Sequence, residues 1–163
     1  MTSPDTTSPD TPGVIAPPPL IALAAVVIGI ALDWLLPIDI LTVALPFWPR
    51  LVIGFAFAAA GSALALAGVW LFKTAGTNVE PWKPTLRLVT TGIYARLRNP
   101  MYAGLLLLVL GLAVALASDW TLLMFVLMAL ILHYGVVVRE ERYLETKFGD
   151  DYRRYKARVP RWG

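Results

Sequence analysis

Four long apolar runs, at residues 20–36, 51–72, 101–117 and 120–138, alternate with polar connections along this 163-residue chain. A hydrocarbon core of ~30 Å takes roughly 17–25 mostly apolar residues per helix, so each run has the length of a membrane span. The pattern predicts an all-α fold: a polytopic membrane helical bundle of about four transmembrane helices, followed by C-terminal cytoplasmic or interfacial helices. Only Ser118-Asp119-Trp120 separates the third run from the fourth, which makes these two a hairpin. The third run has a defined start, because Asn99 can accept from a first-turn N–H and Pro100 suits a first position that needs no donor. Small residues recur in the second run at Gly54, Ala58, Gly61, Ala65 and Gly68. Such a stripe lets another helix approach closely. A homodimer through it is one expectation, but the short connection favours the first span as its partner.

The polar segments have distinct characters. Residues 1–19 are rich in Thr, Ser, Pro and Asp and hold no Lys or Arg, so they are expected to be a disordered N-terminal tail, with 20–163 as a single domain. The run that follows lacks a basic flank and a small-residue cleavage site, and is read as a span, not a signal peptide. Asp33 lies near its outer end and is expected to be solvated there. Between residues 74 and 99 the apolar period disappears and turn residues accumulate, the mark of a long functional loop. Beyond Val138 the fourth helix is expected to continue through residues 139–148 to Gly149, where Asp150 or Asp151 can cap a further short helix. Leu144, Phe148, Tyr152, Tyr155 and Val159 recur at helical spacing, either as a helix on the membrane surface or as a lid on the 74–99 loop.

Composition sharpens this picture. Hydrophobic residues make up 58% of the chain, above the roughly 45–50% of soluble domains. The absence of cysteine excludes disulfides, thiolate metal sites and a cysteine nucleophile, and no metal site is assigned. The net charge of +3 matters less than its placement. Lys73, Lys83, Arg87, Arg96 and Arg98 precede the third run, eight further cations follow the fourth, and only Arg50 lies elsewhere. The positive-inside rule therefore puts residues 73–99 and the tail in the cytoplasm, and four spans place both termini there, in an inner (cytoplasmic) membrane. Anionic lipid headgroups, not nucleic acid, are the expected neighbours of these cations.

Hairpin geometry joins two polar clusters. Pro100 and Val138 each stand nineteen residues from Asp119. At ~1.5 Å per residue both arms return to one depth, which sets Arg98, Asn99 and Tyr102 beside Arg139, Glu140 and Glu141. The cations and the start of the third helix suit a carboxylate or phosphate. The glutamates suit an ammonium or sulfonium, and Tyr94 or Tyr102 can turn a ring face to a cation. The alternative is an interfacial salt-bridge network that fixes the hairpin. His133, the single histidine, sits within the fourth run, seven residues before Glu140 and so on the same helical face. It is a candidate base or substrate-orienting group, or else a neutral histidine bonded to a neighbouring helix.

The stretch Leu88-Val89-Thr90-Thr91-Gly92-Ile93-Tyr94, then Arg98-Asn99-Pro100-Met101-Tyr102-Ala103-Gly104, resembles the cofactor motif of the isoprenylcysteine carboxyl methyltransferase family. The tail motifs Glu140-Glu141-Arg142-Tyr143-Leu144, Phe148-Gly149-Asp150-Asp151-Tyr152 and Arg158-Val159-Pro160 are similar to it as well, and Gly76 to Trp82 is similar to its bacterial branch. The resemblance covers residues 76–162. It implies an integral-membrane methyltransferase that moves a methyl group from S-adenosylmethionine to a lipophilic small molecule or membrane lipid. By position, Tyr94, Arg98, Asn99, Pro100, Tyr102, Gly104, Glu140 and Glu141 would bind the cofactor, with Arg139, Glu140 and His133 as catalytic candidates. This chain departs from the eukaryotic members at Asn99, where they carry histidine. It also has Val136 where an arginine near the substrate is expected, with Arg139 one turn further on. An NADPH-dependent membrane lipid reductase, and a non-enzymatic membrane subunit or lipid adaptor, are the competing readings.

Overall fold

The computed structural model describes residues 10–162. Among the described residues, seven α-helices run in chain order: α1 (Pro18–Leu35), α2 (Ile40–Ala44), α3 (Phe47–Thr74), α4 (Pro100–Leu116), α5 (Asp119–Leu132), α6 (Val138–Phe148) and α7 (Asp150–Arg158). A 3-10 turn at Gly92–Ala95 precedes α4, and a π-turn at His133–Val137 joins α5 to α6 without a break. The described residues contain no strand. Three helical stretches among these residues are long and apolar enough to cross a membrane: α1, α3 and the continuous Asp119–Phe148 helix. The fourth, α4, is apolar but only 17 residues long, about 25 Å of axial rise.

The helices pack in the order α1, α5, α4, α3, so the first and second long helices stand at opposite edges of the bundle. This corrects the expected pairing of the first span with the small-residue stripe. The partner is α4, which carries a matching row of its own. A Cβ on Gly61 would lie 2.5 Å from the Gly104 carbonyl oxygen, and one on Gly111 would lie 2.5 Å from the Ala58 nitrogen. Two glycine rows let the backbones touch, which no larger side chain allows. The glycines of the stripe are thus buried within the chain, against α4. α1 instead meets α5, where a Cβ on Gly29 would lie 2.5 Å from Thr121 Cα.

The end of the bundle that carries Arg50 is closed by local hydrogen bonds. Ser118 caps α5 by accepting from the Thr121 amide at 3.0 Å, and its hydroxyl donates to Asp33. Asp33 is therefore half-buried and bonded, not simply solvated. The Asp119 carboxylate accepts from the amides of Ile40 and Leu41 at 3.0 and 3.2 Å, which explains the short α2 that the sequence did not announce.

At the other end, residues 10–17 are not a free tail. The Ile15 amide donates to the Gly135 carbonyl at 3.2 Å, and Asp10 pairs with Lys147 at 2.6 Å. The π-turn makes this docking possible, because its shifted hydrogen-bond pattern leaves a helix carbonyl available to an outside donor. Residues 1–9 lie outside the described part. Gly149, at φ +53°, turns the chain sharply between α6 and α7. Asp150 and Asp151 fall in the first turn of α7, where neither caps it through its side chain. α7 then folds back as a lid: Tyr152, Tyr155 and Val159 are buried against Leu88, Leu144 and Phe148.

Candidate functional site

Under that lid lies a pocket of about 540 Å³, counting the part open to solvent. Three segments build it: the 85–89 loop with the 3-10 turn, the first residues of α4, and α6 with α7. Each is held for a local reason. Thr77 Oγ1 accepts from the amides of Leu86 and Arg87, and Asn78 donates to the Pro84 carbonyl at 2.8 Å, which folds the loop on itself. The Tyr155 hydroxyl donates to the Tyr94 carbonyl at 2.8 Å and ties the lid to the 3-10 turn. Gly68 on α3 leaves room beneath, since a Cβ there would press on Met101 and the Tyr94 hydroxyl.

Tyr94, Arg98, Asn99, Tyr102, Glu140 and Glu141 all line this one pocket. The equal arms of the hairpin do bring the two clusters together. The Tyr102 hydroxyl donates to Glu140 Oε2 at 2.8 Å. Glu141 is 5% exposed, and Arg161 grips both of its oxygens, Nε to Oε1 at 2.9 Å and Nη2 to Oε2 at 2.6 Å. Arg98 Nη1 also stands 3.1 Å from Glu141 Oε1, but off the line of a hydrogen bond. Arg98 Nε and Nη1 and the Tyr94 hydroxyl are buried without a hydrogen-bond partner among the described residues. Burial, reinforced by the charge of Glu140, pushes the Tyr94 phenol well above its usual range, so its O–H remains a donor at neutral pH. Burial likewise raises the Tyr155 phenol to about 12.

Four expected site residues lie outside the pocket, and a fifth, Asn99, lines it but does other work than expected. Asn99 does not cap α4; its side-chain amide donates to the Arg161 carbonyl at 3.2 Å and so fastens the C-terminal segment. Pro100 opens α4 from a buried position, and Gly104 serves the contact with Gly61; neither lines the pocket. Arg139 points away, donating to the Gly13 carbonyl at 2.9 Å. His133 also lies elsewhere, in an apolar groove with Leu97, Phe125 and Trp162. The physical reason is the π-turn, which inserts one extra residue between His133 and Glu140. Each residue rotates an α-helix by about 100°, so the shared face expected for a seven-residue spacing is lost. Tyr152 and Tyr155 complete the pocket, and Arg161 holds its Glu141, without having been singled out as site residues. The signal for the tyrosines was their helical spacing with Leu144 and Phe148; Arg161 had none.

A second cavity adjoins the first. An apolar groove of about 640 Å³, counting the part open to solvent, runs between α1 and α3, lined by Pro18, Pro19, Ala65, Val69, Trp82 and Leu105 among others. It shares Met101 and Tyr102 with the polar pocket. The groove of His133 shares no residue with it.

Fold and site together define an integral-membrane helical protein with a charged pocket at one end of its spans. Comparison with known proteins agrees. The phospholipid methyltransferase family model matches residues 49–151, and the chain belongs to that family, which also takes in the isoprenylcysteine methyltransferases. It is similar to protein-S-isoprenylcysteine O-methyltransferase of Schizosaccharomyces pombe, with 38% identity over 45% of this chain and 31% of the relative. Similarity to the Rattus norvegicus protein of the same name is 34%, over 70% of this chain and 43% of the relative. An uncharacterized protein of Haemophilus influenzae is 44% identical over 38% of this chain and 98% of its own length. The chain spans less than half the length of the isoprenylcysteine methyltransferases it matches. No solved structure matches it.

Proposed function

We propose that the protein transfers a methyl group from S-adenosylmethionine to an amphiphile that enters from the bilayer. The observation that carries this reading is the pocket's set of unused groups. Arg98 presents two buried N–H donors, Tyr94 presents a hydroxyl, and Glu140, bonded to Tyr102 through Oε2, has no partner on Oε1 among the described residues. An unpaired buried donor costs ~1–3 kcal/mol, more when charged, so such groups call for a ligand. A zwitterion that also bears a sulfonium fits them, its carboxylate on Arg98 and its cationic part toward Glu140 and the tyrosine rings.

When bound, the cofactor supplies an electrophilic methyl group. The residues of this chain hold and align the partners, which is where most of the acceleration of such a displacement arises. Tyr102 stands at the junction of pocket and groove and, through its bond to Glu140, fixes that carboxylate. Where the acceptor is a carboxylate it is already ionised at neutral pH. Where it is an amine, Glu140 is the group placed to take its proton. Arg139 and His133, turned away from the pocket, take no part in the transfer. The groove between α1 and α3 offers the acceptor's tail an apolar path to Tyr102.

The decisive experiment measures binding and turnover on detergent-purified protein. S-adenosylhomocysteine should bind in calorimetry while NADPH does not. Methyl transfer should rise steeply with tail length across prenylated and acylated acceptors, given ~0.8 kcal/mol per buried CH₂. Equal turnover of short, water-soluble acceptors would overturn entry from the bilayer, and binding of NADPH alone would overturn the methyl donor.

A further inference from the structure

The C-terminal segment beyond α7 reaches back over the start of α4. The Arg98 amide donates to the Pro160 carbonyl at 3.0 Å, and Asn99 donates to the Arg161 carbonyl. The Arg161 side chain is thereby fixed over Glu141 and takes both carboxylate oxygens along its own donor directions. Arg98, whose side chain is only 9% exposed, sits 3.1 Å from the same carboxylate yet makes no hydrogen bond to it. Two guanidinium groups thus meet one carboxylate, and the nearer bidentate geometry belongs to the one outside the helix hairpin. A planar fork on a carboxylate is the strongest arrangement open to either arginine. With Arg161 absent, Arg98 is the group that would claim it.

We propose that Arg161 is a positioning residue: it occupies Glu141 so that Arg98 keeps its buried donors for the acidic group of the bound ligand. This rests on the methyl-donor reading above and assigns its carboxylate a specific partner. Glu141 keeps Arg98 near by charge alone, Arg161 prevents the pair from closing, and the tail segment of residues 159–162 becomes part of ligand recognition.

The test is calorimetry on the detergent-purified full chain with two probes. S-adenosylhomocysteine carries the amino-acid carboxylate, whereas 5′-methylthioadenosine is the same nucleoside thioether without it. Arg161→Gln should weaken S-adenosylhomocysteine about tenfold or more, the loss of a charge-assisted hydrogen bond. Its affinity for 5′-methylthioadenosine should hold to within about threefold, well inside that loss. Adding Glu141→Gln to Arg161→Gln should restore S-adenosylhomocysteine binding, since the neutral amide no longer captures Arg98. If Arg161→Gln does not fold, Arg161→Lys, which still occupies one oxygen of Glu141, carries the comparison with a smaller expected loss. Equal loss for both probes, or no recovery in the double variant, overturns the proposal and makes Arg161 a purely structural anchor. Failure of the wild-type chain to bind either probe would instead remove the methyl-donor reading beneath it.

Discussion

Replacing each of the two adjacent glutamates by glutamine should produce opposite phenotypes, although the sequence alone gives them equal standing. Glu140 lines the pocket and has one oxygen occupied by Tyr102 at 2.8 Å. Glu140→Gln keeps the shape and leaves an acceptor for Tyr102, so the unliganded fold should lose little. What it removes is the charge opposite a cationic ligand. A hydrogen bond to a charged group nets about 1.5–3 kcal/mol, which predicts roughly a ten- to hundredfold weaker affinity for S-adenosylmethionine. Glu141 is the reverse case. Its carboxylate is nearly enclosed and holds Arg161 bidentately while facing Arg98 at 3.1 Å. Removing one partner of a buried ion pair costs about 3–5 kcal/mol, because the remaining charge has no compensation. Arg161 is partly exposed and can recover some hydration, so the lower end of that range is expected. Glu141→Gln should therefore lower the melting temperature of the unliganded protein by several degrees while S-adenosylmethionine affinity falls less than for Glu140→Gln. The assay pairs calorimetry with thermal unfolding in one detergent. Equal losses of affinity in both variants, with unchanged melting, would refute this division of roles.

Gly104→Ala should destabilise by about 1–3 kcal/mol or more, because the new Cβ would lie 2.5 Å from the Gly61 carbonyl and neither backbone can yield; denaturant or thermal unfolding checks it. Gly135→Ala meets the Ile15 side chain, Cδ1 at 2.3 Å and Cγ1 at 2.7 Å. Ile15 is more than half exposed and its whole side chain can swing outward, so the cost should stay at about 1 kcal/mol, the low end for overpacking. A reporter fused after Gly163 should be accessible from the cytoplasm alone, given the cations gathered at that end of the bundle; access only from outside would invert the topology.

The hydrophobic pattern determined the long helices, the α4–α5 hairpin and the meeting of Arg98, Asn99 and Tyr102 with Glu140 and Glu141. Those outcomes follow from local periodicity and from equal arm lengths about one turn, both of which are properties of contiguous sequence. What only the tertiary structure decided depends on contacts between distant segments. The stripe from Gly54 to Gly68 announces close packing but does not name its partner, and the complementary glycines of α4 settle that. A single inserted residue in the π-turn moves His133 out of register with Glu140, a shift of helix phase that periodicity cannot report because both phases are equally apolar. Docking of residues 10–17 onto that turn removes Arg139 from the pocket through one backbone carbonyl, which composition cannot foresee. Arg161 stands twenty residues from Glu141 in a segment with no periodic signal, and only the fold-back of α7 at Gly149 closes that distance.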